Sequence, residues 1–131
     1  MDNPHYERFG GHAAVVALVD AFYAAMDTRA DAAVIRAMHD ADLTATKRVL
    51  VSYLCEWMGG PAAYSAERGK PALRRRHLPF VIDDAARDSW MACMQHALAT
   101  TCPDVALRNE LLAAFARVAQ AVTNAHSPTP H

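Results

Sequence analysis

The sequence predicts an all-α domain, and three observations carry that prediction. Apolar residues recur three and four positions apart over long stretches. Period-two alternation is missing apart from a few residues near Phe80 to Ile82. Glycine, proline and aspartate stand where helices would start and stop. The first stripe, Val15, Val19, Phe22, Tyr23 and Met26, follows the Gly10-Gly11 break and defines the first long helix. A short segment around Asp31 to Met38 comes next. The second stripe, Leu50, Tyr53, Leu54, Trp57 and Met58, is entered near Asp42 to Thr44 and stopped by Gly59, Gly60 and Pro61. From Pro61 to Pro79 the pattern dissolves into small, glycine-containing and basic sequence, with room for at most one helical turn, Pro71 to His77. Asp83 is placed to cap a third long helix bearing Ala86, Trp90, Cys93, Met94, Ala97 and Leu98. Pro103 and Asp104 open a fourth with Leu111, Leu112, Phe115, Val118 and Val122. Two helices therefore stand on each side of a loop-rich centre.

A chain of 131 residues supports one core, read here as a single domain over 1–125 and a flexible tail over 126–131, where Pro128 and Pro130 prevent a packed helix. With 53% hydrophobic and 21% charged residues the chain is too apolar for disorder, and no apolar stretch has the length of a membrane span. Thirteen basic against 14 acidic residues leave a formal net charge of −1, so no global field draws the chain to nucleic acid. Cys55, Cys93 and Cys102 cannot all pair within one chain. None lies in a C-x-x-C, a zinc-ribbon or a C-x-x-C-H spacing. A reducing compartment follows, and the first residues lack the basic-then-apolar pattern of a targeting segment, so the expected location is the cytoplasm.

His77 is the first residue that could carry chemistry. It lies in an irregular basic segment where a core-filling position would hold Leu or Ala, and its imidazole can ligate a metal, act as a base or simply face water. The other histidines, including His39, form no H-E-x-x-H or comparable ligand spacing, and the E-x-x-H repeats of di-iron bundles are missing. Arg74, Arg75 and Arg76 read either as a solvated face or as an anchor for carboxylate or phosphate. Tyr23, Tyr53, Trp57 and Trp90 fall on apolar faces, where core packing is the simpler role. A buried Tyr or Trp still needs a partner for its O–H or N–H, and a polar cavity would supply one.

Taken together these features form a constellation. Phe22-Tyr23 is followed by Trp57-Met58 and G-G-P at 59–61, by Tyr64, by R-H-x-P-F at 76–80 and by R-D-x-W-x-x-C-M at 87–94. In order and spacing this resembles the group II truncated haemoglobins across nearly the whole chain. The resemblance implies a truncated globin-like two-over-two helical sandwich around a haem pocket, holding haem b and its iron. It makes His77 the proximal ligand through Nε2. It sets Leu54, Met58, Phe80, Ile82, Trp90 and Met94 against the macrocycle, with Arg76 and Tyr64 toward the propionates. It sets Tyr23, His39, Thr46, Leu50 and Trp90 on the distal side, with Tyr23 and Trp90 as hydrogen-bond donors to a bound gas. Two positions depart from the family pattern: His39 stands where Phe or Tyr is usual, and could donate to the ligand or coordinate iron itself, and Lys70 stands where histidine is common.

The activity so implied is binding of oxygen and other diatomic ligands, nitric oxide and carbon monoxide among them, as an oxygen-binding or transport protein. Nitric oxide dioxygenase or peroxidase-like turnover is open to such a site only with a separate reductase, since 131 residues leave no room for a flavin or nicotinamide domain. Monomer and homodimer are both compatible with the sequence. The competing reading is a helical interaction module without cofactor, in which His77 and the arginine run are surface features; it predicts a colourless protein.

Overall fold

Local chemistry explains where the long helices begin. In the computed structural model, which describes residues 5–69 and 80–124, a short helix α1 (His5–Phe9) runs into α2 (Gly11–Thr28) through Gly10, whose φ of 120° favours glycine. A 3₁₀ turn (Ala30–Ala32) and α3 (Ala33–Ala37) lead to α4 (Thr44–Trp57), where the Asp42 carboxylate accepts from the Thr44 N–H at 3.0 Å. Then come α5 (Ala63–Arg68), α6 (Asp84–Thr101) and α7 (Val105–Val122). As the sequence predicts, Asp83 caps α6 by accepting from the Ala86 N–H at 2.8 Å. Asp104 caps α7 by accepting from the Leu107 N–H at 3.0 Å.

Two features depart from the sequence reading. The stretch after Pro61 does contain a helix, but it is α5, earlier than the turn expected at Pro71 to His77, which lies outside the described residues. Six residues are too few to hold a helix in water by themselves. Here the Glu56 carboxylate of α4 accepts from both the N–H (2.9 Å) and the hydroxyl of Ser65, anchoring α5 to its neighbour. The extended residues Phe80 to Ile82 form no strand. Asn124, just past α7, holds them instead: its side chain accepts from the Ile82 N–H (2.8 Å) and donates to the Phe80 carbonyl (3.0 Å), while its own N–H donates to the Ile82 carbonyl (2.9 Å).

The helices pack as two pairs, α2 with α4 and α6 with α7, and α2 makes its most extensive contact across the pairs with α6. Between them lie the fully buried Leu18, Phe22, Met26, Leu54, Met58, Met94, Leu98, Leu111 and Phe115. Sealing a side chain of this size from water contributes about 2–3 kcal/mol. Gly60 allows α1 to close the end of this core, because a Cβ there would sit 2.6 Å from the Tyr6 ring. No described helix is long and apolar enough to cross a membrane.

Candidate functional site

Five rings form a continuous line through the interior, and all four long helices contribute. Tyr23 and Phe22 of α2 meet edge to face at 5.0 Å between centroids, and Phe22 meets Trp90 of α6 at 5.3 Å. Trp90 meets Phe115 of α7 at 5.8 Å, and Phe115 stacks on Trp57 of α4 at 4.5 Å. Helical spacing puts each ring on the inner face of its own element; only the packing of the two pairs joins them. Trp57 and Trp90 are nevertheless half-buried, as are Leu50, Tyr53 and Ile82, which pack against the same core, and Phe80 is 40% exposed. Large apolar side chains left partly wet beside a core mark a surface suited to an apolar ligand.

Two polar groups belong to this wall. Tyr23 is 4% exposed, and burial pushes its phenol up to about 12 against a smaller opposing influence of Arg36, so the hydroxyl keeps its proton throughout the physiological range. Among the described residues, none forms a hydrogen bond with the Tyr23 hydroxyl or the Trp90 indole N–H. Both are donors without a protein acceptor among the described residues.

His39 stands beside them, its ring 5.6 Å from that of Tyr23 and nearly perpendicular to it. Its Nδ1 lies 2.8 Å from the Ile35 carbonyl oxygen. A carbonyl only accepts, so Nδ1 carries the proton and, in the neutral ring, Nε2 presents a lone pair. A neutral His39 thus offers an acceptor or a metal ligand at Nε2, and donation from that nitrogen requires the protonated ring. Arg36 fixes the corner that bears His39: it pairs with Asp27 and donates to the carbonyls of Asp40 (2.9 Å) and Ala41 (3.1 Å).

Of the remaining residues singled out from sequence, Thr46 and Leu50 are half-buried on α4, while Leu54, Met58 and Met94 lie fully in the core. Tyr64 is buried with its ring edge-on to Tyr53 at 5.5 Å. His77, Arg76 and Lys70, like the tail over 126–131, lie outside the described residues. Asn124 and Arg36, which hold the two segments flanking the wall, escaped the sequence reading. A lone Asn after a helix and an Arg in a short segment carry no signal until their carbonyl partners are known.

The bacterial-like globin family profile matches residues 4–124. The group 2 truncated haemoglobin YjbI of Bacillus subtilis is 38% identical over 96 residues, 73% of this chain and 70% of that protein. Among solved structures, the cold-adapted truncated haemoglobin of Pseudoalteromonas haloplanktis superposes with a TM-score of 0.91 at 37% identity, covering 93% of this chain and 98% of the other. The group II 2-on-2 haemoglobin of Agrobacterium tumefaciens gives 0.89 at 39% identity, covering 94% and 95%.

Proposed function

Because this chain belongs to the bacterial-like globin family, and within it to the group II truncated haemoglobins, we propose that it binds oxygen at a haem, with Tyr23 and Trp90 as the donors that retain the ligand. The family is one of haem-based binders of small gaseous ligands. The single observation that carries the finer reading is a pair of donors, the buried Tyr23 hydroxyl and the half-buried Trp90 N–H, that have no hydrogen-bond acceptor among the described residues. These residues fit a flat apolar group with a polar ligand on one face. When bound, the haem supplies the iron at which a diatomic gas coordinates.

Each residue then has a task. His77 would hold the iron of the haem. Leu54, Met58, Phe80, Ile82 and Met94 would exclude water around the macrocycle, and Arg76 and Tyr64 would meet its propionate oxygens. The chain has no C-x-x-C-H for thioether attachment, which favours haem b, the form that the family resemblance implies. On the distal side, lined also by Thr46 and Leu50, Tyr23 and Trp90 would donate hydrogen bonds to a bound diatomic gas. A neutral hydrogen bond is worth about 1 kcal/mol net and more toward a charged acceptor, so two of them slow release by about ten- to a hundredfold. Retention of that order suits reaction with nitric oxide or peroxide, fed by a separate reductase, better than delivery. The three cysteines are free thiols, which supports a reducing, cytoplasmic setting.

Absorption spectra of the oxidised, reduced and carbon monoxide-bound protein, beside a His77→Gly variant, test the cofactor and its axial ligand. A Soret band that shifts with carbon monoxide and is altered in the variant is expected; a colourless protein after haem supplementation would leave the helical interaction module standing. Stopped-flow oxygen dissociation tests the donors: Tyr23→Phe and Trp90→Leu each speed release by about fivefold or more. Unchanged rates in both would refute the distal assignment.

A further inference from the structure

A different face of α4 borders a groove of about 450 Å³ between α2 and α4, closed at its ends by α1 and α5. That volume falls in the range that holds a small organic ligand. Cys55 lies on its floor, only 5% exposed, with its Sγ 3.8 Å from Nδ1 of His12 on α2. Tyr6 also lines the groove, and its side chain acts on the same sulfur. Burial pushes the thiol up and the Tyr6 contact pulls it down, so at rest the sulfur is a thiol with a base beside it and a donor for its anion. His12 is exposed, which gives a proton taken from sulfur a path to water. Cys93 and Cys102 are also buried free thiols, but neither lines this groove.

The rim supplies both signs of charge. Lys47 is 3.5 Å from Asp20, and Arg48 is 4.0 Å from Glu67, all four bordering the groove and substantially exposed. Pairs this open hold their geometry weakly, so the same groups are available to the carboxylates and ammonium of an incoming zwitterion.

We propose that Cys55 is a thiol–disulfide exchange site, with His12 as its base, for a small zwitterionic peptide disulfide of the glutathione type. His12 takes the S–H proton as the Cys55 sulfur attacks one sulfur of the disulfide. The S–S bond of the reagent breaks, a new S–S bond forms to Cys55, and the other half leaves as a thiolate that picks up a proton from His12 or water. One disulfide is consumed and one is made, so the disulfide itself is the only oxidant needed. The haem plays no part in this step.

The test treats the haem-loaded protein, as purified, with glutathione disulfide and follows the adduct by intact mass and peptide mapping. One glutathionyl group on Cys55 is expected, removable by reductant, with Cys93 and Cys102 unmodified. His12→Gln, at an exposed position, lowers the adduct rate by about tenfold or more at neutral pH. Lys47→Ala together with Arg48→Ala slows glutathione disulfide severalfold but leaves the rate with the uncharged 2-hydroxyethyl disulfide unchanged. No adduct on the folded protein, adducts spread evenly over the three cysteines, or an unchanged rate in His12→Gln would each overturn the proposal.

Discussion

Tyr23 carries two consequences of a single burial event. Desolvation removes the alternative of an anionic phenolate, so the residue stays a donor. It also ties stability to alkaline pH. The phenol titrates at its ordinary value of 10.0 in the unfolded chain and at about 12 in the folded one. Between those values the folded state holds the proton that the unfolded state has lost, so stability is complete below pH 10 and falls as pH rises toward 12. Two units correspond to about 3 kcal/mol as an upper bound. Urea midpoints measured for the native protein and Tyr23→Phe are expected to differ by a constant amount below pH 9, and then to shift against the native protein up to pH 12. A difference that stays flat across that range would show that the phenol is not desolvated. At His39 the decisive fact is equally local: the Ile35 carbonyl takes the Nδ1 proton and thereby fixes what the other nitrogen can do.

At the scale of the element, the short pieces matter most for positioning. Neither α5 nor the extended residues Phe80 to Ile82 hold their shape from intrinsic propensity; each depends on one side chain from elsewhere, Glu56 and Asn124. The Asn124 side chain spends both its amide oxygen and nitrogen on the backbone of residues 80–82, where Ile82 packs against the core. Asn124→Ala leaves a partly buried N–H and a carbonyl to find new partners, at a cost of about 1–3 kcal/mol. Thermal denaturation is expected to show that loss, and transfer of haem to an acceptor apoprotein to become several times faster. Haem transfer at the native rate in a variant of lowered stability would separate the segment from cofactor retention.

For the molecule as a whole, the line of rings from Tyr23 to Trp57 shows a core built from all four long helices and then left open along part of its length. A group that covers the half-exposed Leu50, Tyr53, Trp57, Ile82 and Trp90 stabilises the folded state by mass action. At a concentration a thousand times its dissociation constant it contributes about 4 kcal/mol. For a domain of this size that raises the melting temperature by more than about 10 °C. Calorimetry of the protein before and after haem extraction is expected to show a shift of that size, and equal melting temperatures would mean that the wall is not the haem surface.

Much of this was legible in the sequence. The stripes Val15 to Met26 and Leu50 to Met58 established the helices and their buried faces, because a 3.6-residue period is a property of the backbone alone. Asp83 and Asp104 marked two helix starts for a similarly local reason, since a cap reaches only two or three residues ahead. The G-G-P, R-H-x-P-F and R-D-x-W-x-x-C-M runs sufficed for the family. Tertiary structure alone decided the rest. Which Tyr and Trp donors are left without an acceptor among the described residues, which nitrogen of His39 bears the proton, and that Cys55 meets His12 forty-three residues away all depend on contacts beyond a helix's own period. Periodicity says which way a side chain faces along its own helix; what it faces is set by how the helices close on one another.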